Sequence, residues 1–155
     1  MTIGNALEPD INTIEFVSGE WGILTIANTG RTQLGQLTGA VNLKSLKAPK
    51  VDVVGNISLD GAIDYVQLGN IFGASVSFDA TDRSIMRTDT ISQSDINIRG
   101  SLRTLWADGL EGGHFQSDGI KRVILNGNLT GNLTVTQGNL AVSYTHLTLP
   151  TNREV

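Results

Sequence analysis

Four aspartates, Asp79, Asp82, Asp89 and Asp95, fall in one stretch of the chain, interleaved with Arg83, Arg87, Arg99 and Arg103. Two carboxylates held on either side of a sugar linkage are what glycoside hydrolysis requires, and polysaccharide-cleaving enzymes set such carboxylates beside Arg or Lys. The spacing, by threes to sevens, is equally that of a solvated surface. The chain also lacks the Asn-Thr-Asp, Asp-Asp and Gly-His-Gly triplets of polygalacturonase-like enzymes. His114, in Gly112-Gly-His-Phe115, is the one histidine outside the C-terminal run. A single imidazole supplies no histidine cluster for a metal, and no Gly-x-Ser-x-Gly accompanies it, so it reads as a turn residue. Asp108, Glu111 and Asp118 could face a calcium ion, but the Asp-x-Asp-x-Asp-Gly and Gly-Gly-x-Gly-x-Asp loops are missing. Gly127, Gly131 and Gly138 precede no helix and no Lys-Ser/Thr pair, which excludes a phosphate loop. Lys44, Lys47 and Lys50 form a small basic stripe without local aromatics and read as an outward-facing set. The sequons Asn56-Ile-Ser58, Asn128-Leu-Thr130 and Asn132-Leu-Thr134 fall where a turn asparagine precedes a strand. The expectation is therefore no catalytic residue, no cofactor and no metal ligand.

The elements that would carry these residues are short strands. The 155 residues suit one domain. Lys and Arg total 11 against 15 Asp and Glu, for a net charge of -4, which argues against a general nucleic-acid binder. Charged residues make up only 17%, against a charge-driven disordered chain. The absence of cysteine removes disulfide scaffolds, Cys-zinc sites and thiol nucleophiles. No apolar run reaches membrane-spanning length, and Met1–Asp10 lacks the basic flank and apolar stretch of a signal peptide. Eighteen glycines interrupt almost every window in which a helix could form. Strand signals such as Ile23-Leu-Thr-Ile26, Val76-Ser-Phe78 and Val123-Ile-Leu125 recur between Gly, Asn, Asp and Ser.

An internal repeat chooses among the β architectures. Ile11, Ile14, Phe16, Leu24 and Ile26 define apolar offsets of 0, 3, 5, 13 and 15. The same offsets from Ile63 reach Val66, Leu68, Val76 and Phe78, and from Ile120 they reach Val123, Leu125, Leu133 and Val135. The positions between the first three offsets and between the last two are polar except Tyr65 and Ile124. Side chains two apart share one face of a strand, and a coil unable to bury its apolar row alone does so by stacking on its neighbours. The reading is an all-β, right-handed parallel β-helix of about six coils of roughly 20 residues. Matched positions should stack in rows, the spacing leaves room for a loop or strand excursion around Ala27–Ala40, and Ala80–Asp95 should bulge as a loop.

The run Val142 to Thr151 differs in style and resembles the in-frame translation of a transposon-end adapter used in sequencing libraries. The resemblance implies a fragment from environmental, metagenomic reads. Residues 1–141 would be a β-solenoid fragment of a larger repeat protein and 142–155 an artefact tail, so Tyr144, His146 and Arg153 carry no function.

Segments such as Ile120-Lys-Arg-Val-Ile-Leu-Asn-Gly-Asn-Leu-Thr-Gly-Asn-Leu-Thr-Val135 and Val53-Val-Gly-Asn-Ile-Ser-Leu-Asp-Gly-Ala-Ile63 resemble bacterial secreted and surface parallel β-helix repeat proteins, of the adhesin and autotransporter-passenger kind. That resemblance implies a non-catalytic structural or adhesive segment, extracellular or at the cell surface. Its partners would be surface carbohydrate, other surface proteins and further coils of the same full-length chain, with no nucleic acid and no membrane span. The alternatives are a fragment of a β-helical carbohydrate-active enzyme and a bactofilin-like, polymer-forming cytoskeletal solenoid.

Overall fold

Glycine-punctuated apolar pairs become edges of coils that pair only with the coils above and below. In the computed structural model, residues 11–138 and 140–144 are described, and they contain no helix. The strands are β1 (Ile11–Thr25), β2 (Thr32–Ala48), β3 (Val51–Ala62), β4 (Tyr65–Leu68), β5 (Ile71–Phe72), β6 (Ser75–Ala80), β7 (Ile85–Leu125), β8 (Asn132–Val135) and β9 (Ala141–Tyr144). Every strand pairing between them is parallel. Ile14 lies beside Leu37, Leu37 beside Ile57, Ile57 beside Val76 and Val76 beside Ile96, one step of about twenty residues each time. The chain is a β-solenoid of about six coils, roughly 29 Å long at about 4.8 Å per coil.

β7 shows how the coils close. Its 41 residues would extend about 135 Å as a straight strand at ~3.3 Å per residue, so the run must bend round its own corners. Gly100, Gly112 and Gly113 sit there at φ of 87°, 72° and 76°, a region that costs a Cβ-bearing residue energy and costs glycine little.

The core is the interior of the stack. Of the twelve template side chains at offsets 3, 5, 13 and 15, expected to form it, Leu24, Ile26, Val66, Leu68, Val76, Phe78, Val123 and Leu125 are buried. Ile14, Phe16, Leu133 and Val135 are only partly buried and pack against the core. Those four belong to the first and last coils, where a covering coil is missing on one side among the described residues.

The row assignment needs a correction. Leu24, Leu46, Val66 and Met86 form one ladder, whereas Ile14 and Leu37 belong to a second one with Ile57, Val76 and Ile96. The repeat copy beginning at Ile11 is therefore half a coil out of step with the copies beginning at Ile63 and Ile120. Each coil carries two alternately buried strands about ten residues apart, Val66/Leu68 and Val76/Phe78 for example, so the offsets match themselves after half a turn. Two expected excursions are also absent. Between Ala27 and Ala40 the chain leaves strand geometry only over Ala27–Arg31, and β2 then runs through a full coil side. Between Ala80 and Asp95 the break is the turn Thr81–Ser84, after which β7 pairs in register with β4, β5 and β6.

Polar side chains at the corners tie each coil to the next. The Asn42 side-chain oxygen accepts from the Ala62 N–H at 2.9 Å, Asp52 from the Asn70 N–H at 2.8 Å, and Asn70 from the Thr90 N–H at 3.2 Å. Asp118 accepts from the Gly100 N–H at 2.7 Å. The buried hydroxyls of Ser84 and Thr88 donate to the carbonyls of Ile63 and Gly69, both at 2.6 Å. These bonds satisfy backbone groups that a corner would otherwise leave orphaned. β9 adds its strand to Arg122–Leu125. It contains the first three residues of the adapter-like run; the rest of that run, and Met1–Asp10, lie outside the described residues.

Candidate functional site

The aspartate set does not converge. Asp79 accepts from the Nε of Arg99, whose guanidinium also reaches Asp60 at 3.4 Å. Asp89 is bound at 2.5 Å by Arg31, which bridges to Asp52 at 2.7 Å. Asp82 and Arg83 are exposed in the turn after β6, and Asp95 is exposed beside Ser75. Thus Asp79 and Asp89 are held by different arginines, reached from different coils. Arg31 has its pKa raised above the ordinary arginine value, chiefly by the hydrogen bond to Asp89, and Arg99 likewise by the one to Asp79. A raised folded-state pKa contributes stability that is fully present below the ordinary arginine range. It is lost only as pH rises through the raised value, so these bridges keep their arginine charge at every physiological pH. Both guanidiniums are about half exposed, which limits each bridge to on the order of 0–1 kcal/mol.

The remaining cations gather elsewhere. Stacking in register brings together the outward residues of the sheet formed by the end of β1, the end of β2, β4 and the matching parts of β7. Thr25, Lys47, Gln67 and Arg87 follow one another in one outward row. The Arg87 guanidinium then lies over the ring of Trp106, 3.3 Å from its centroid. In the row beside it, Tyr65 adjoins Ile85. The Lys47 ammonium sits 6.0 Å from the Tyr65 ring, and the Tyr65 hydroxyl reaches Gln67 at 3.3 Å. Arg103 one coil further on, and Lys121 and Arg122 two coils on, continue the same side, and Lys44, Lys50 and Arg83 flank it. All eight of these lysines and arginines are exposed. None forms an ion pair among the described residues, where Arg31 and Arg99 take part in all the salt bridges. A chain of net charge -4 thus presents one basic face with aromatic rings set into it.

Three hollows open on this side. One of about 110 Å³ lies between Pro49, Gln67, Arg87, Asp89, Trp106 and Asp108. A second, of about 290 Å³, shares Pro49 and Gln67 with it and continues past Lys47 and Lys50 to Ile26 and Asn28. The third, of about 260 Å³, is bounded by Arg103, Thr104, Lys121, Arg122 and Ala141. Thr104 and Trp106 are two apart on one strand and so emerge on the same face, which sets the third hollow beside the first.

This assembly was invisible to a local reading of the basic stripe. The aromatics that interleave Lys47 stand one coil and three coils away in sequence, at Tyr65 and Trp106. A signal did exist: Tyr65 and Ile124 were the two exceptions to the polar pattern, and both emerge half-buried on this face. Other candidates fall away from it. His114 is exposed within β7 beside Asn132, a strand residue rather than the turn residue expected. Asp118 ties Gly100 and Thr136, and Asp108 accepts from Asn126 at 3.1 Å. Among the described residues no group of three or more His, Asp or Glu is placed to hold a metal, and no helix is long and apolar enough to cross a membrane. Comparison with protein-family models, with curated proteins and with solved structures finds no match.

Proposed function

We propose that this solenoid is a non-catalytic structural or adhesive segment of a repeat protein acting outside the cell or at its surface. One observation carries the reading: several carboxylates are engaged in holding coils together, while eight lysines and arginines without an ion pair among the described residues gather on one face. Asp52 and Asp118 anchor backbone N–H groups of neighbouring coils, and Asp79 and Asp89 are bound to arginines. General acid–base catalysis needs a poised group held close to its partner and free to exchange a proton; tying and bridging carboxylates serves stiffness instead. A rod with one distinctive side suits display and attachment.

The test is incubation with a panel of neutral and uronic-acid polysaccharides, followed by assay for new reducing ends and unsaturated products. The expected result is no turnover, before and after Asp79→Asn and Asp82→Asn. Turnover abolished by either substitution would overturn the proposal in favour of a carbohydrate-active enzyme. A polymer-forming reading has one observation of its own: Val17 (93% exposed) and Ile23 (64%) leave β1 with apolar side chains in water. Sedimentation separates the two, since the stalk stays at constant size as concentration rises and an end-to-end polymer lengthens.

A further inference from the structure

Resting on that reading, we infer that the basic face binds an acidic polysaccharide, with Trp106 and Arg87 as its anchor and Arg103, Lys121 and Arg122 as its carboxylate-binding end. Three features of the face point to this chemistry. First, its cations lack carboxylate partners among the described residues although the chain as a whole is acidic. Holding like charges together costs energy that a polyanion would relieve. Second, Arg87 covers the ring of Trp106 at 3.3 Å and fixes it as the wall of a hollow about 110 Å³ in volume. With Arg87 on one face of the ring, a pyranose would lay its apolar C–H face against the other side of Trp106 and set its hydroxyls round the edge. Third, Asp89 and Asp108 also line that hollow. Carboxylates accept hydrogen bonds from sugar hydroxyls and repel any anion, so the ring seated here presents its hydroxyls to Asp89 and Asp108 while the acidic groups of the polymer lie at the cationic end.

The geometry matches a polymer rather than a lone sugar. The Arg103, Lys121 and Arg122 hollow lies beside Trp106 on the same face, so a ring stacked at Trp106 places the acidic group of a neighbouring residue among three cations. Lys47 and Arg87, two coils apart in one outward row, extend the positive track along the rod. Coils repeat at about 4.8 Å, comparable to the length of one pyranose unit in an extended chain. Arginine and lysine read the carboxylates, while Gln67 and Thr104 offer neutral partners for hydroxyls.

The full chain is titrated with polygalacturonate oligomers, with dextran as the neutral control. Poly(dT) and phosphatidylglycerol vesicles serve as the competing polyanions. The expected result is saturable binding of the uronate oligomer that weakens as salt rises, with dextran bound far more weakly. Trp106→Ala should weaken it about tenfold, a loss of the size one aromatic contact supplies. Trp106→Phe should restore most of it. Arg103→Ala with Arg122→Ala, both exposed, tests the cationic end without disturbing the core, and Arg99→Ala on another side should change little. Absence of uronate binding at low salt overturns the inference, as does binding indifferent to Trp106 and to the Arg103/Arg122 pair. Preference for poly(dT) or for vesicles also overturns it. Failure to bind would leave the non-catalytic stalk standing, whereas cleavage of the bound oligomer would sink the stalk reading and leave the face as a glycan site.

Discussion

Phe78→Ala is expected to lower stability by about 3–5 kcal/mol, the cost of an aromatic-to-alanine truncation in a closed core. Phe78 is 1% exposed, on the middle coil, beside Ile98 of the coil that follows. A solenoid is held by nearest-neighbour contacts, so a void there weakens both halves' grip on each other rather than one local patch. For a chain of this length the corresponding fall in Tm is about 10 °C or more. Phe72→Ala is the matched control, the same chemistry at a side chain 56% exposed, where a change within about 0.5 kcal/mol is expected. Urea denaturation of both variants checks it. A Phe78 variant no less stable than the Phe72 variant would contradict the assignment of Phe78 to the interior.

The second large effect concerns backbone proximity between coils. A Cβ built on Gly55 would stand 1.8 Å from the carbonyl oxygen of Gly35 in the coil before it. The parallel register between β2 and β3 slips at this point, between Leu34 and Gln36. The obstacle is main chain, which cannot rotate away as a side chain could. Gly55→Ala should therefore force the coils apart and cost about 1–3 kcal/mol or more. Gly30 is the opposite case, with nothing within 4 Å of its would-be Cβ. Gly30→Ala should be neutral or stabilise by up to about 1 kcal/mol by restricting the unfolded chain. A loss at Gly55 with no loss at Gly30, read by denaturant titration, is what the stacked-coil geometry requires. Equal effects would mean that Gly55 does not face another coil's backbone.

How far these features were legible depended on whether they were local. Val66/Leu68, Val76/Phe78 and Val123/Leu125 alternate within three residues, and that pattern exposes the buried face directly. The coil length of roughly 20 residues matches the structure, in which Leu43 and Ile63 bridge one another. The phase was not: two strands per coil with the same alternation make a half-turn slip look like a match, as the copy from Ile11 shows. Turns were over-read as loops at Ala27–Ala40 and Ala80–Asp95 because polar outward residues on a solenoid strand look the same as polar loop residues. The basic face lay beyond local reading for a related reason. Lys47, Arg87 and Trp106 are neighbours only through the coil period, so their meeting depends on the register itself.

That register is the central claim, and the cysteine-free chain permits a clean test of it. Gln36 pairs with Asn56, Asn56 with Ser75 and Ser75 with Asp95, while His114 pairs with Asn132 at the far end of the same side. Gln36, Asn56, Asp95 and Asn132 are all exposed, so cysteine at each carries a spin label without entering the core. Double electron–electron resonance is then measured between Gln36→Cys and, in turn, Asn56→Cys, Asp95→Cys and Asn132→Cys. The account predicts backbone separations of one, three and five coil steps, about 5, 14 and 24 Å before the label linkers are added. The distances should rise in proportion to coil number and have narrow distributions. A distance from residue 36 to residue 132 no longer than that to residue 95, as a chain folding back on itself in an antiparallel sandwich would give, would contradict the solenoid and with it the face that the stacking assembles.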